Sequence, residues 1–295
     1  MIHGLRRVVL GVVLAAAGAS VHGWQLTLPL ERGSVRFAAI GDNGTGKTRQ
    51  YEVAARMHTL RQSFPFDFVI MLGDNLYGGH KAGDYLKKFE RPYKLLLDAG
   101  VRFYAAIGNH DSPNQRLYKP FNMDGKSYYT YRKGDAQFFV LDSTYMSPAQ
   151  LTWFERELND SRADWKIAYF HSPPFSSAAF HGSAVELRDL LQPLFVKYGV
   201  QVVFSGHEHV YERVKPQLGV TYFVEGASGQ LRKGNLVKGT SLTAVGYDQD
   251  QSFILVEIAG DAFHFQTISR LGQTVDSGVI QRAGTVSRAT GSVPE

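Results

Sequence analysis

The chain has 295 residues, enough for one large domain or two small ones, and 44% of them are hydrophobic, which allows a sizeable core. It contains no cysteine, which excludes disulfides and metal sites built on thiolates. Its formal net charge of +5 comes from scattered lysines and arginines, a pattern that argues against nucleic acid as the main partner and permits a small anionic substrate.

Residues 1–19 have the pattern of an export signal. Arg6 and Arg7 form a basic start, an apolar stretch follows over 8–17, and Ala17-Gly18-Ala19 offers a small-x-small cleavage site. The apolar stretch is too short to span a bilayer as a helix, and a buried N-terminal helix is the alternative. We therefore expect a periplasmic or secreted protein with no membrane segment after signal removal. The remaining chain is expected to form one domain over 20–282 and a flexible tail over 283–295.

Short apolar runs then alternate with longer stretches of helical periodicity. The apolar runs predict strands over 35–40, 68–72, 101–107, 137–141, 166–170 and 200–204. The segments between them predict helices over 47–63, 84–99, 148–160 and 184–198. This alternation indicates an α/β domain. From Tyr211 onward, apolar runs predict further antiparallel strands added to the same domain, over 221–224, 253–258, 262–268 and 274–280.

Five polar motifs stand at the ends of these predicted strands. They are Gly41-Asp42-Asn43-Gly44, Gly73-Asp74-Asn75-Leu76-Tyr77, Gly108-Asn109-His110-Asp111, Ala168-Tyr169-Phe170-His171 and Gly206-His207-Glu208-His209. In an open α/β sheet, the loops after the carboxyl ends of strands share one edge, so these distant side chains should converge there. Their carboxylate, phenol, amide and imidazole groups suit two hard or borderline cations. A pair of ions about 3.5–4 Å apart can clamp the attacking and leaving oxygens in phosphoryl transfer.

Each of these donors also has an ordinary structural explanation when it is considered alone. Asp42 and Asp74 suit helix N-caps, and Asn109 suits a turn. His207 and His209 are two positions apart and flank an acid, so they favour a metal site more strongly than the others. It is the joint placement of the donors that predicts a metal centre.

The five motifs in this order resemble those of the purple acid phosphatases, which belong to the binuclear metallophosphoesterases, also called calcineurin-like phosphoesterases. The resemblance covers roughly 36–211. Most of this superfamily has an Asp-x-His first motif, whereas here Asp42 is followed by Asn43-Gly44. The phenolate of Tyr77, the signature of the purple acid phosphatases, would replace the missing histidine.

The chain resembles the short, single-domain form, with a metallophosphoesterase catalytic domain over 20–282. This resemblance implies a four-layer α/β/β/α sandwich in which two mixed β-sheets are flanked by helices.

The resemblance further implies two metal ions per chain, with Asp74 bridging them. Fe(III) would be held by Asp42, Asp74, Tyr77 and His209. A second ion, Fe(II), Zn or Mn, would be held by Asp74, Asn109, His171 and His207.

The expected reaction is acid-phosphatase-like hydrolysis of a small phosphomonoester, in which a metal-bound hydroxide attacks phosphorus in line with the leaving alcohol. His110 can protonate the leaving oxygen, and Asp111, beside it in sequence, would favour the charged imidazole. His181 is a second candidate acid, because this family often has another histidine shortly after the ligand at the position of His171. An exposed loop histidine is the alternative interpretation of His181.

Three other functions stay open. The segment 41–48 matches the phosphate-loop pattern G-x-x-x-x-G-K-S/T, follows a predicted strand and opens a predicted helix, as in P-loop nucleotide hydrolases. That function would leave Asn109, His171 and His207 without a role. A phosphodiesterase of the same superfamily would use nearly the same ligands, and a non-catalytic metal or phosphate binder would retain them.

Overall fold

The computed structural model describes residues 26–282, so the predicted signal over 1–19 and the predicted tail over 283–295 lie outside the described residues. Its strands are β1 (Val35–Ile40), β2 (Phe68–Met71), β3 (Arg102–Ala105), β4 (Tyr129–Lys133), β5 (Ala136–Val140), β6 (Trp165–Tyr169), β7 (Val202–Ser205), β8 (Tyr211–Val214), β9 (Thr221–Glu225), β10 (Thr243–Tyr247), β11 (Ser252–Ala259), β12 (Ala262–Ser269) and β13 (Thr274–Gln281). Its α-helices are α1 (Thr48–Arg61), α2 (Ala82–Tyr85), α3 (Lys94–Asp98), α4 (Pro148–Asp160) and α5 (Val185–Tyr198).

The strands form two mixed sheets. The first sheet has six strands in the order β13-β12-β11-β1-β2-β3, and the second has seven in the order β10-β8-β9-β7-β6-β5-β4. Strands β1, β2 and β3 run parallel in the first sheet, as β5, β6, β7 and β9 do in the second. The late strands β11, β12 and β13 are antiparallel and extend the first sheet from β1.

The central strands of the second sheet are buried on both faces. Along β6, Ile167 belongs to a core that includes residues of the first sheet, whereas the next residue, Ala168, belongs to a separate core with side chains of α4 and α5. Successive side chains of a strand point to opposite faces, so one face meets the other sheet and the opposite face meets the helices. Phe37 of β1 shows the contact between sheets, since its ring lies 5.4 Å from Phe138 of β5 and 6.1 Å from Phe204 of β7. The expected four-layer α/β/β/α sandwich is thereby confirmed.

Local sequence explains where helix α4 begins and where helix α5 ends. Helix α4 begins at Pro148, and the Ser147 hydroxyl caps it by accepting a hydrogen bond from the Gln150 N–H at 3.2 Å. Helix α5 ends at Tyr198 and is capped by Gly199, whose φ of 69° is the left-handed conformation that favours glycine. Within residues 26–282, no helix has the length and apolar character needed to cross a membrane.

The prediction of a single helix over 84–99 is wrong, because this segment is divided into α2, a π-helical turn over Leu86–Glu90, and α3. Pro92 has no N–H to donate to the Lys88 carbonyl, which favours a break in the helix at this point. Gln50 of α1 satisfies that carbonyl instead, through Nε2 at 2.5 Å. The Lys88 ammonium binds the carbonyl of Tyr77 at 2.6 Å, which ties this irregular segment to one of the polar motifs.

Candidate metal centre

The five polar motifs meet at one edge of the two sheets. The first three follow β1, β2 and β3, and the last two follow β6 and β7, which are parallel neighbours in the second sheet. Hydrogen bonds connect the two groups of motifs. The His207 N–H donates to Asp42 Oδ2 at 2.8 Å, and His171 Nδ1 lies 2.9 Å from the Leu72 carbonyl oxygen. The site is therefore assembled from both sheets.

One group of donors consists of Asp42, Tyr77 and His209. The Tyr77 hydroxyl donates to Asp42 Oδ1 at 2.9 Å and lies 3.2 Å from His209 Nε2. His209 Nε2 is in turn 3.3 Å from Asp42 Oδ1. Three of the four side chains predicted to hold the first ion are thus in mutual contact.

A second group consists of Asn109, His171 and His207. His171 Nε2 lies 2.9 Å from Asn109 Oδ1 and 3.1 Å from His207 Nδ1. Because the Leu72 carbonyl can only accept, the proton of a neutral His171 ring is held on Nδ1 and a lone pair remains on Nε2. That lone pair faces the Asn109 oxygen, which is also an acceptor. A cation among these atoms would convert an unfavourable contact into coordination.

Asp74 lies between the two groups. Its Oδ1 is 3.5 Å from His171 Nε2, and one ligand atom each from Asp42, Asp74 and His171 lie within 4.8 Å of one another. The other oxygen, Oδ2, is buried and has no hydrogen-bond partner among residues 26–282. A buried carboxylate oxygen without a partner is costly, and a metal ion is the partner that its surroundings suit. The residues present therefore fit two cations that share Asp74.

The pKa values show how the protein part of the site behaves without a cation. Burial raises the pKa of Asp42 well above its ordinary value, and burial together with the charges of Asp42 and Asp74 raises the pKa of Tyr77. Burial, followed by the neighbouring His171 ring, lowers the pKa of His207 to about 3. The pocket thus disfavours anionic oxygens and protonated imidazole. A positive ion would favour ionised oxygens and would bind the neutral rings directly.

The backbone at three of these positions is held in an unusual conformation. Asp42, Asp74 and His207 have φ angles of 52°, 51° and 69°, in the left-handed region that residues with a side chain rarely adopt. Gly73 precedes Asp74 with a φ of 91°, and a Cβ atom there would lie 2.6 Å from His171 Nδ1. Such strain is typical of functional sites, where the surrounding structure has to impose it.

Asp111 has a different environment from the one expected for a partner of His110. Its partly buried carboxylate accepts hydrogen bonds from the backbone N–H groups of Gly108, Asn75 and Leu76 at 2.9–3.0 Å, and from Gln115 Nε2 at 2.7 Å. Burial, assisted by the charge of Asp74, raises the pKa of Asp111 to about 7. Asp111 therefore connects the second and third motifs, and its predicted effect on His110 stays a prediction.

The two candidate acids contact different residues of the centre, His110 the Tyr77 ring and His181 the His207 ring. His110 is exposed, and its ring centroid lies 4.9 Å from that of Tyr77. Its backbone N–H donates to Asp74 Oδ1 at 3.0 Å. The His181 ring lies 4.1 Å from the His207 ring, so this residue is beside the site and not on a remote loop. Their roles as proton donors stay predictions.

Glu208 is a residue of the site that sequence reasoning did not identify. It is fully buried, and its Oε1 accepts the N–H groups of His181 at 2.8 Å and Gly182 at 2.6 Å. Its Oε2 accepts from Asn235 at 2.9 Å. Glu208 thus holds two surface loops against the centre. Its position between His207 and His209 could have identified it, because an acidic side chain between two ligands has to turn away from them.

Comparison with known proteins identifies the family. A family model for the calcineurin-like phosphoesterases matches residues 35–211, which include all five motifs. The chain is 26% identical over 242 residues to purple acid phosphatase 17 of Arabidopsis thaliana, covering 69% of this chain and 71% of the relative. It is 27% identical over 250 residues to tartrate-resistant acid phosphatase type 5 of Oryctolagus cuniculus, covering 68% and 76%.

A solved structure shows the same fold at lower identity. It is that of GAP50, described as the anchor in the inner membrane complex of Plasmodium, with a TM-score of 0.77 and 18% identity over 86% of this chain and 90% of that one. The match of the family model to more than half of the chain, over the strands that carry the donors, shows the family. The protein belongs to the calcineurin-like phosphoesterases and has purple acid phosphatases among its relatives.

Proposed function

We propose that this protein is an exported binuclear phosphatase that hydrolyses phosphomonoesters in the manner of the acid phosphatases. The observation that carries the proposal is the position of Asp74, which lies between two groups of candidate metal ligands and has one buried oxygen without a partner among residues 26–282. The acid phosphatase names of two relatives support phosphoric monoesters as the substrate class. The export pattern of residues 1–19 supports a periplasmic or secreted location.

The two groups of side chains would hold different ions. A phenolate is a hard, anionic ligand, so we assign Fe(III) to the first group: Asp42, Asp74, Tyr77 and His209. The second group has one carboxylate, one amide and two imidazoles, so we assign Fe(II), Zn or Mn to Asp74, Asn109, His171 and His207. With both ions bound, the site would supply an activated water nucleophile and a positively charged cradle for the phosphate.

The residues around the ions would handle the leaving group. His110 reaches solvent while its backbone is fixed to Asp74 Oδ1, so its ring can enter and leave contact with a departing alcohol without disturbing the ligands. We therefore assign the proton donation to His110. His181, held by Glu208 against the His207 ring, would contact the substrate from the other side.

The nucleotide-hydrolase alternative is disfavoured by the hydrogen bonds of segment 41–48. A phosphate loop needs free backbone N–H groups to surround the phosphates. Here the Gly44 and Thr45 N–H groups donate to the carbonyls of Asp74 and Asn43 at 3.2 and 2.8 Å. The Gly46 N–H donates to Gln50 Oε1 at 2.7 Å, and the Lys47 N–H to Thr45 Oγ1 at 3.2 Å. The loop matches the phosphate-loop sequence pattern, but these backbone N–H groups already donate to protein acceptors and are not free to surround a phosphate.

A substrate comparison tests the proposed function against its alternatives. Metal-loaded protein should hydrolyse 4-nitrophenyl phosphate with a higher kcat/KM than bis(4-nitrophenyl) phosphate, which releases the same alcohol. The Lys47→Ala variant should retain this activity, because Lys47 is exposed and outside the donor groups. A preference for the diester would indicate a phosphodiesterase. Loss of ATP hydrolysis in Lys47→Ala would indicate a nucleotide hydrolase, and bound metal without turnover would indicate a non-catalytic binder.

Substitution of Tyr77 tests the assignment of the first ion. Phenolate coordinated to Fe(III) absorbs visible light, so the iron-loaded protein should be purple or pink, and Tyr77→Phe should lose this band because it lacks the hydroxyl. Absorption spectra of equal concentrations, with circular dichroism as a check of folding, would measure it. Tyr85→Phe, which changes a tyrosine near the same loop, should keep the band. A band that persists in Tyr77→Phe would refute the ligand assignment.

Substitution of His110 tests its assignment as the acid. His110→Gln should lower kcat for an alkyl phosphate by about 10²-fold or more, because a poor leaving group requires protonation. The loss for 4-nitrophenyl phosphate should be much smaller, since its leaving group departs as an anion. His264→Gln, in β12, is the control and should change neither rate. The same leaving-group dependence in His181→Gln but not in His110→Gln would transfer the role to His181.

A further inference from the structure

Arg232 lies beside the metal centre on a loop that is fastened to the ligands. The backbone N–H of Arg232 donates to the carbonyl of His209 at 2.9 Å, and the backbone N–H of Gln230 donates to the carbonyl of Asp42 at 3.0 Å. The loop is therefore positioned by main-chain bonds that do not depend on the Arg232 side chain. A substitution of that side chain should leave the loop in place.

The guanidinium of Arg232 has no anionic partner in the part of the chain that the structure describes. Its Nη1 is buried without a hydrogen-bond acceptor, and no carboxylate of residues 26–282 forms an ion pair with it. By contrast, Arg213 and Arg270 reach Asp276 and Asp250 at 2.7 and 2.9 Å. A buried donor without an acceptor requires an explanation, and an oxyanion from solution supplies one.

The side chain is fixed by an aromatic contact instead of an ion pair. The Arg232 Cζ atom lies 3.2 Å from the centroid of the Phe180 ring. The N–H groups of a guanidinium point outward in its own plane, so a contact between its face and a ring does not occupy them. Phe180 is 61% exposed, so its position does not result from burial in the core.

The guanidinium is outside the group of metal ligands. The His181 ring lies 4.5 Å from the Phe180 ring and 4.1 Å from the His207 ring, so His181 contacts both Phe180 and the predicted ligand His207. The nearby acid, Glu208, is already occupied by the N–H groups of His181 and Gly182 and by Asn235. A positive charge without an ion-pair partner among residues 26–282 thus lies next to the site.

We propose that Arg232, supported by Phe180, forms a second anion-binding subsite that selects phosphomonoesters with a further carboxylate or phosphate group. The subsite rests on the proposed function for its biological meaning, since the reacting phosphate would be held at the metal centre. The subsite itself predicts a preference for ligands with a second oxyanion, which binding measurements can test without turnover.

Binding of non-hydrolysable phosphonates tests this subsite. Calorimetry on the metal-loaded protein would compare phosphonoacetate, 3-phosphonopropionate and 4-phosphonobutyrate with alkylphosphonates of matching length that lack the carboxylate. At the best length, the carboxylate should tighten binding by about tenfold or more, as expected for hydrogen bonds to charged groups. Arg232→Met should abolish this advantage and leave the affinity for the plain alkylphosphonates unchanged.

The control variant is Lys233→Met, which removes a positive charge from the next, exposed residue of the same loop. Lys233→Met should retain the preference for the carboxylate, because we expect this preference to depend on the position of Arg232 and not on the net positive charge of the loop. The proposal is overturned if the carboxylate confers no advantage at any length, or if the advantage survives in Arg232→Met. It is also overturned if Arg232→Met weakens both classes equally, which would place Arg232 at the reacting phosphate. Turnover of monoesters by the same preparations tests the proposed function separately.

Discussion

The Asp74 carboxylate is the group on which the arrangement of the whole site depends. It is buried, one oxygen contacts His171 and accepts the N–H of His110, and the other oxygen has no partner among residues 26–282. An ionised carboxylate without compensation costs several kcal/mol in a protein interior. The protein retains it beside Asp42, a second buried acid, and holds both residues in left-handed backbone conformations. Bound cations are the compensation that this combination requires.

The fold explains why donors from distant parts of the sequence meet at this point. Strands β1, β2 and β3 deliver the carboxylates, the phenol and the amide from one sheet, while β6 and β7 deliver the imidazoles from the other. Each proposed ion therefore takes ligands from both sheets, so binding of metal should also bind the sheets together. The hydrogen bond from the His207 N–H to Asp42 Oδ2 already links them at 2.8 Å.

Much of the fold and of the metal centre could be predicted from the sequence, because apolar runs identify strands and polar residues at strand ends converge. The failures have local physical causes. Pro92 interrupts the helix predicted over 84–99, and the strands β4, β8 and β10 are short or polar enough to escape an apolar pattern. The surroundings of the donors were harder to predict. Asp111 and Glu208 stand next to the candidate histidines in sequence, yet their carboxylates accept hydrogen bonds from loop N–H groups, which only the folded chain reveals.

The metal content of Asp74 variants tests the shared position of this residue most directly. Elemental analysis after reconstitution should find about two ions per chain in the natural protein, as in other two-metal hydrolases. Asp74→Ala should lose both, because each group of donors loses the same carboxylate, whereas His209→Ala removes a ligand of only one group and should retain an ion at the other. An Asp74→Ala protein that is folded and still binds one ion as tightly as the natural protein would contradict a shared Asp74.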